Sequence, residues 1–409
     1  MRWRVACGGV LVQLALGSGY AWSVVGSALQ QDEAFGLSTA QAVLPFQLLI
    51  GMVFIGSVAG ARLRRLGPRV PILIGGVLFA IGVVLASLVT TPGYWWGIAL
   101  GYGLIGGVGL GIAYFALISL LQEWFFDKRM IITAVTGLGF GLGALCTAVC
   151  GQWLLRQNPE VPTVALLPLG IAYLALVLVG SVLLSAPPAS KAMVGANAAG
   201  SMPEGPRATD QRSGYTPAEA LRTPQWHLLT VILALNTCIG LALISRTAAS
   251  AQEIAGFSVS RAALLVGVLS LVNGCGPVAW TRIATRVGQV PALTFLNCLS
   301  GSCVLFIPHA SNELLFFAVA AIAYWCYGGV FGVVSATVSE YFGMEYAGVI
   351  YARMLSGWSV GGLVGPWIVV SAAGPGHPTL AYTVLGCLGI VAAFLTLVTR
   401  APGLRPERV

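Results

Sequence analysis

Twelve long apolar stretches constrain this chain more than any other feature of its sequence. A helix needs ~20 predominantly apolar residues to cross the hydrocarbon core of a bilayer. Only 8% of the 409 residues are charged, whereas a soluble domain carries about 25%. This scarcity excludes a soluble enzyme, a nucleic-acid-binding protein and a disordered chain. The predicted spans cover residues 5–27, 41–61, 70–90, 95–122, 130–154, 163–185, 226–249, 261–281, 290–308, 313–338, 347–371 and 379–399.

The first apolar stretch follows Arg2 and Arg4 and could be mistaken for a secretory signal peptide. It is long, it contains Tyr20 and Trp22, and no convincing small-residue cleavage site precedes the second span. We therefore expect this stretch to be retained as the first membrane helix.

The positions of Lys and Arg predict how the chain is oriented, because cytoplasmic loops of membrane proteins carry an excess of both. With both termini in the cytoplasm, all but three of the 21 basic residues lie at or near the cytoplasmic face; the exceptions are Arg156, Arg246 and Arg261. The net charge of +8 is therefore a topology signal rather than a sign of a nucleic-acid partner. We expect a monomeric multi-pass protein of the bacterial inner membrane, surrounded by lipid.

One long polar segment, 187–225, interrupts the apolar stretches and is rich in Ala, Pro, Gly and Ser. Such a composition is typical of a flexible linker. It predicts an N-terminal six-helix bundle at 1–186, a cytoplasmic linker at 187–225, a C-terminal six-helix bundle at 226–400 and a cytoplasmic tail at 401–409.

The two halves of the chain carry similar short motifs at equivalent helices. Arg65-Leu66-Gly67 in the first half matches Arg286-Val287-Gly288 in the second, at an offset of 221 residues. Glu123-Trp124-Phe125 matches Glu340-Tyr341-Phe342 at an offset of 217, and Gly111 and Gly328 are related by that same offset. Internal repeats are common in transporters, whose substrate sites lie between the repeats. The sequence therefore predicts two pseudo-symmetric bundles around a central cavity.

Three predicted helices carry glycines at close spacing, which lets the backbones of neighbouring helices approach. These faces could serve static packing, or they could form the interface along which the two halves rock. The glycines are Gly103, Gly107 and Gly111 in helix 4, Gly137, Gly139, Gly141 and Gly143 in helix 5, and Gly357, Gly361 and Gly365 in helix 11.

Nothing in the sequence predicts a metal, a cofactor or an enzyme. The nine cysteines lie almost entirely within predicted spans, form no C-x-x-C pair and are expected to pack as small apolar residues. His227, His309 and His377 lie at helix ends without the spacing of ligands. The chain contains no H-E-x-x-H or P-loop pattern.

Several longer motifs resemble those of a known family. After helix 2, Gly60-Ala-Arg-Leu-Arg-Arg-Leu-Gly67-Pro68-Arg69 resembles the loop signature of the major facilitator superfamily. The other motifs resemble the oxalate/formate antiporter family, whose members transport small carboxylates and are similar to the monocarboxylate carriers. These motifs are Gly17-Ser-Gly-Tyr20-Ala-Trp22-Ser-Val, Gly109-Leu-Gly-Ile-Ala-Tyr114, Glu123-Trp-Phe-Phe-Asp-Lys-Arg129, Ala234-Leu-Asn236-Thr237, Asn273-Gly-Cys-Gly276 and Gly357-Trp358-Ser-Val-Gly-Gly-Leu-Val-Gly365-Pro366. The resemblance implies the major facilitator fold.

The departures from this resemblance concern charged positions. Where the superfamily has a bracing Asp, this chain has Arg64, and Thr285 and Gln289 replace the corresponding residues of the second half. We therefore expect weakened braces and an all-basic cluster of Arg62, Arg64 and Arg65 near anionic headgroups. Pro277 and Trp358 stand where the resemblance implies substrate-binding cations. A dianion such as oxalate needs compensating cations, so a monoanion or a polar neutral compound is the better fit.

Aromatic residues are the first group of candidate substrate-binding residues. Tyr20 in helix 1, Tyr114 in helix 4, and Tyr327 and Phe331 in helix 10 could cage a flat carboxylate and donate hydrogen bonds to it. The alternative for each is packing or lipid contact. Since Tyr114 and Phe331 are related by the offset of 217, both are expected to point to the pseudo-symmetric centre. Trp358 completes the group.

Polar residues within the spans are the second group. Asn236 and Asn273 either contact substrate or form hydrogen bonds between helices, because a buried amide in lipid needs partners. Arg246 either snorkels to the interface or replaces the missing cation as a carboxylate anchor. Arg353 is a second candidate anchor, nearer the cytoplasmic face.

We therefore predict a transporter that moves a small organic anion, a monocarboxylate, by alternating access. Since no acidic residue lies in the middle of a span, exchange or facilitated uptake is favoured over proton symport. The alternatives are a carrier of a larger organic acid or neutral polar solute, and a sensor paralogue that has lost transport.

Overall fold

The computed structural model describes residues 2–125, 129–187, 214–344, 346–372 and 378–402. Within these ranges twelve helices are long and apolar enough to cross a membrane, which confirms an all-α, multi-pass membrane protein. They are α1 Arg2–Gln31, α2 Thr39–Leu66, α3 Arg69–Ser87, α4 Trp96–Trp124, α5 Ile132–Gln157, α6 Pro162–Leu183, α7 Pro224–Ala255, α8 Val259–Val287, α9 Gln289–His309, α10 Glu313–Phe342, α11 Ala347–Ala372 and α12 Thr379–Leu397.

Most of the predicted linker lies outside the described residues, as do His377 and residues 403–409 of the predicted tail. A four-residue helical turn, Pro217–Ala220, precedes α7. We call the membrane face of the linker the linker face and the other the opposite face. Because successive helices alternate in direction, α1 and α7 both run from the linker face to the opposite face.

Polar residues in the short loops set where the helices begin. Ser38 starts α2 with a capping box, in which its hydroxyl accepts from the Gln41 backbone N–H and its own N–H donates to the Gln41 side chain. Ser258 caps α8 and Asn312 caps α10 in the same position. These caps satisfy backbone N–H groups that a helix leaves unpaired at its first turn.

Three of the helices are irregular. In α1, Ser18–Ala21 forms a 3₁₀ turn, and α4 contains a π-helical segment, Ala99–Ile105, close to its start. In α11 the α-helix is interrupted at Leu355. Such interruptions redirect side chains relative to a regular helix, and the breaks in α1 and α11 lie next to Tyr20 and Trp358.

The helices form two six-helix halves, α1–α6 and α7–α12, with equivalent contacts in each. Gly67 ends α2 with φ of +101°, and Gly288 ends α8 with φ of +95°. Both angles lie in the left-handed region that favours glycine, so the motif pair found in the sequence makes the same turn twice. Gly111 packs against α2, and its counterpart Gly328 packs against α8. The structure therefore has the pseudo-symmetric architecture that the repeats predicted.

The glycine faces have different roles from one another. A Cβ on Gly107 of α4 would overlap the backbone of Leu49 in α2. One on Gly365 of α11 would overlap the backbone of Cys238 in α7. Both contacts join helices of one half, so the rocking-interface interpretation is wrong for α4 and α11, and these glycines serve packing within a half.

Helix α5 is different, because part of its glycine face meets the other half. The backbone of α8 lies so close that a Cβ on Gly137 would be 2.8 Å from the Gly274 carbonyl oxygen, and one on Gly141 would be 2.5 Å from that of Ser270. Gly139 and Gly143 face α1 instead. Only Gly137 and Gly141 of these glycines therefore occupy the interface between halves.

Polar contacts also join the two halves toward the opposite face. The Gln252 side chain of α7 donates to the Ser27 hydroxyl of α1 at 3.3 Å and accepts from Gln31 at 3.3 Å. Arg156, at the end of α5, donates to Ser260 at the start of α8. These bonds hold the halves together on the opposite face.

Candidate functional site

Aromatic side chains from both halves meet at the middle of the bundle. Tyr20, Tyr114, Tyr327, Phe331 and Trp358 all belong to this group, which we call the aromatic cluster together with Phe46, Phe115 and Phe140. Tyr327 is near the middle residue of α10, and Trp358 is near the middle of α11. The structure therefore brings together five of the eight predicted site residues.

Three polar groups form a hydrogen-bonded chain through the cluster. The Tyr20 and Tyr327 hydroxyls lie 2.8 Å apart, and the Trp358 indole N–H donates to the Tyr327 hydroxyl at 3.0 Å. Tyr20 belongs to the N-terminal half, whereas Tyr327 and Trp358 belong to the C-terminal half. This polar chain therefore crosses between the halves, and all three side chains are buried.

Three rings of the cluster, Tyr114, Phe115 and Phe331, contact Trp358. Its centroid lies 5.9 Å from that of Tyr114 and 5.8 Å from that of Phe331. Tyr114 and Phe331 thus contact the same indole from opposite halves, as their relation by the repeat offset led us to expect. Ring pairs at these distances and inclined angles are favourable aromatic contacts.

Glycines next to the cluster let its tyrosines occupy their positions. A Cβ on Gly240 of α7 would overlap the Tyr327 ring. A Cβ on Gly17 of α1 would overlap the Phe140 carbonyl, and the Phe140 ring lies 4.9 Å from that of Tyr20. Small residues at these two points are therefore a condition for the cluster to form.

Asn236 lies elsewhere, inside the C-terminal half. It is fully buried, and its side-chain N–H donates to Asn297 of α9 at 2.9 Å. Asn297 in turn lies within 3.5 Å of the Thr396 hydroxyl of α12. Of the two predicted roles for Asn236, the structure shows the hydrogen bond between helices.

Asn273 is half-buried in α8 and faces α10. A Cβ on Gly328 would lie 2.7 Å from its side-chain oxygen, and that oxygen is buried without a hydrogen-bond partner among the described residues. An acceptor without a donor in a membrane interior is costly, so this oxygen is available to a donor on a substrate or a water molecule.

Arg246 has a partner of its own. Its guanidinium donates to the Glu253 carboxylate at 2.7 Å, two turns nearer the opposite face. The Arg246 side chain is 10% exposed and that of Glu253 is 52% exposed. The bond runs along α7 rather than into the aromatic cluster. Arg353, the second candidate, is exposed and donates to the Pro217 carbonyl at 3.3 Å.

The expected all-basic cluster after α2 is wrong for Arg64. Its guanidinium forms an ion pair with Glu123 at the end of α4, and both side chains are roughly two-fifths exposed. The chain therefore retains a bond between α2 and α4 at the linker face, with Arg rather than Asp on α2.

Sequence reasoning missed several members of the site. Phe140 is the only aromatic residue in the glycine-rich run 137–143, and this isolated ring was a signal that the sequence offered. For Phe115 the signal was its position directly after Tyr114, a residue already predicted for the site. Phe46 follows Pro45 inside α2, and Tyr351 donates to the Phe331 carbonyl at 3.2 Å. Neither of these two carries a comparable signal in the sequence.

The chemistry of the cluster follows from its donors. Two hydroxyls and one indole N–H form a chain of two hydrogen bonds, with apolar rings beside it. None of the ion pairs or cation–π contacts of the described residues includes a member of the cluster. Such a site can hydrogen-bond the oxygens of a carboxylate, but it lacks the charge that would compensate a second carboxylate.

The chain is similar to known proteins over most of its length. The family model described as Major Facilitator Superfamily matches residues 11–366 and, in an overlapping match, 252–408. The chain is 26% identical to an uncharacterised MFS-type transporter, YhjX of Escherichia coli, over 88% of its own length and 86% of that protein. It is 24% identical to the oxalate:formate antiporter of Oxalobacter formigenes, over 83% of this chain and 77% of that one.

A solved structure shares the fold. The crystal structure of a D-xylose-proton symporter superimposes with a TM-score of 0.75 at 16% identity, covering 97% of each chain. At this identity the likeness concerns the arrangement of helices alone.

Proposed function

Because the chain belongs to the Major Facilitator Superfamily, we propose that this transporter moves a small organic anion, a monocarboxylate, by alternating access between its two halves. The site would be the aromatic cluster, with Tyr20, Tyr114, Tyr327 and Trp358 as hydrogen-bond donors and Phe331 as an apolar wall. The Asn273 side-chain oxygen would accept from a water molecule that accompanies the carboxylate, because the carboxylate itself offers no donor. The moving units would be the predicted bundles 1–186 and 226–400.

The observation that supports this proposal is the polar chain of Tyr20, Tyr327 and Trp358. A single carboxylate has two oxygens, and hydrogen bonds to a charged acceptor are stronger than those between neutral groups. A carboxylate placed between the two hydroxyls would exchange their mutual bond of 2.8 Å for two charge-assisted bonds. Because these hydroxyls belong to different halves, binding there would be coupled to the relative position of the halves.

The relatives support the same class of substrate. The Oxalobacter formigenes protein is named for the exchange of oxalate and formate, and formate is a monocarboxylate. The aromatic cluster has hydrogen-bond donors, and none of the described ion pairs or cation–π contacts includes one of its residues. This chemistry favours binding of formate, a monoanion, over oxalate, a dianion. We place the protein in the bacterial inner membrane with both termini in the cytoplasm, in keeping with the bias of its basic residues.

Counterflow in proteoliposomes tests the proposal. Purified protein would be reconstituted into liposomes that contain unlabelled formate or pyruvate. Uptake of the same acid in labelled form would be compared with uptake of labelled oxalate, which is a dicarboxylate, and of labelled xylose, which is a neutral solute. We expect counterflow of monocarboxylates to exceed that of oxalate. Uptake of xylose alone would favour the neutral-solute alternative, and absence of monocarboxylate flux would refute the proposal.

A further inference from the structure

The hydroxyl of Ser359 in α11 occupies a position between two backbone groups of α2, in the other half of the molecule. It accepts a hydrogen bond from the Phe54 backbone N–H at 3.1 Å and donates one to the Ile50 carbonyl at 3.1 Å. Phe54 and Ile50 are four residues apart, so they are the donor and acceptor that an α-helix normally pairs with each other. Ser359 therefore bridges the donor and the acceptor of one helical turn of α2.

Two glycines make this bridge possible. A Cβ on Gly362 of α11 would overlap the Ile50 side chain, and a Cβ on Gly51 of α2 would lie 2.5 Å from the Leu363 side chain. The backbones of α2 and α11 therefore approach more closely at this point than larger residues would allow. One turn nearer the opposite face, the Gln47 side chain of α2 donates to the Leu363 carbonyl and extends the seam.

The bond is unusual in what happens when it breaks. In a membrane every backbone polar group needs a partner, so most hydrogen bonds between helices leave orphaned groups when the helices separate. Here the Phe54 N–H and the Ile50 carbonyl can pair with each other once Ser359 withdraws. The Ser359 hydroxyl can turn back to a carbonyl of its own helix one turn earlier, as serines in helices commonly do.

Ser359 also lies next to the aromatic cluster. It directly follows Trp358, whose indole N–H donates to Tyr327, and both the Trp358 and the Ser359 backbone N–H groups point to the Leu355 carbonyl at the break in α11. Movement of α11 relative to α2 would therefore displace Trp358 and Ser359 together.

We propose that Ser359 is a positioning residue for the transport step, a reversible latch that joins α2 and α11 of the two halves at the level of the aromatic cluster and so limits how far the halves separate toward the opposite face. The latch rests on the proposed function, because it matters only in a carrier whose halves separate. It is stable while Ser359 bridges Ile50 and Phe54, and it opens without leaving a polar group of α2 unpaired.

Distance measurements by electron paramagnetic resonance test the latch without substrate. Spin labels would be attached through a ketone-bearing non-natural amino acid at Glu33 and Ser311, exposed sites in opposite-face loops of the two halves. This chemistry leaves the native cysteines in place. Ser359→Ala removes the hydroxyl, and Ser359→Cys replaces it by a thiol, which forms weaker hydrogen bonds. Ser356→Ala is the matched control, because among the described residues the Ser356 hydroxyl bonds to the Arg353 carbonyl of its own helix and to no residue of the other half.

We expect Ser359→Ala to raise the ratio of long to short distances about three- to tenfold, the range for one or two hydrogen bonds between membrane helices. Ser359→Cys should give an intermediate ratio and Ser356→Ala the wild-type ratio. An unchanged ratio in Ser359→Ala, or an equal change in Ser356→Ala, overturns the latch. If Ser359→Ala does not fold, the comparison of Ser359→Cys with Ser356→Ala decides. The proposed function fails separately, through absence of monocarboxylate counterflow in the wild-type protein.

Discussion

Replacing Tyr327 by Phe isolates the contribution of one hydroxyl to substrate binding. The ring of the variant keeps its contact with Phe331, at a centroid distance of 5.5 Å, and its place over Gly240. The hydroxyl that meets Tyr20 at 2.8 Å and Trp358 at 3.0 Å is lost. A bound carboxylate would therefore lose one donor, while the shape of the site would be preserved.

The expected size of the effect follows from the energy of that bond. A hydrogen bond to a charged group contributes about 1.5–3 kcal/mol, which corresponds to roughly 10- to 150-fold in affinity. The half-saturation concentration of labelled formate in counterflow should rise by that factor. The variant should also lose about 1–3 kcal/mol of stability, because the buried Tyr20 hydroxyl and Trp358 N–H lose their partner, so the affinity is measured on protein shown to be folded.

The matched control is Tyr324→Phe, one turn earlier on α10. The Tyr324 hydroxyl lies 2.6 Å from that of Thr247 on α7, so its bond joins two helices of one half and does not reach the cluster. Tyr324→Phe should affect thermal stability more than formate affinity. An unchanged half-saturation concentration in Tyr327→Phe, or an equal rise in both variants, would refute the assignment of Tyr327 as a substrate donor.

Three further substitutions test other parts of the molecule. Trp358→Lys should raise the ratio of oxalate to formate counterflow about tenfold, because an ammonium beside the Tyr327 hydroxyl compensates the second carboxylate; Trp358→Gln, without the charge, should not. Arg246→Gln and Glu253→Gln should each lower the melting temperature by about 2–4 °C, on the order of 1 kcal/mol, with formate affinity unchanged. Loss of affinity in Arg246→Gln alone would instead support Arg246 as the anion anchor. Arg64→Glu should cost about 0.2–1 kcal/mol of stability at low salt, and the double variant with Glu123→Arg should recover it; no recovery would show that the pair does not stabilise the linker face.

The number of spans and the repeat were readable from the sequence because both depend on local properties. A run of about 20 apolar residues is enough to predict a membrane helix, and all twelve predicted spans overlap helices of the structure. The turns at Gly67 and Gly288 repeat because the same short motif stands at both. The ion pair of Arg64 was harder to foresee, because Glu123 lies 59 positions away.

The direction in which each side chain points was decided by tertiary structure alone. In a soluble helix the polar face marks the outside, but in a membrane the faces toward lipid and toward protein are both apolar. Hydropathy therefore could not separate Asn236, which bonds to Asn297 within one half, from Tyr20, which meets Tyr327 at a separation of 307 positions. For the same reason it could not assign Gly107 and Gly365 to packing within a half and Gly137 and Gly141 to the interface. The sequence determined how many helices cross the membrane and that they repeat, whereas only the packing of the two halves determined which side chains meet at the centre.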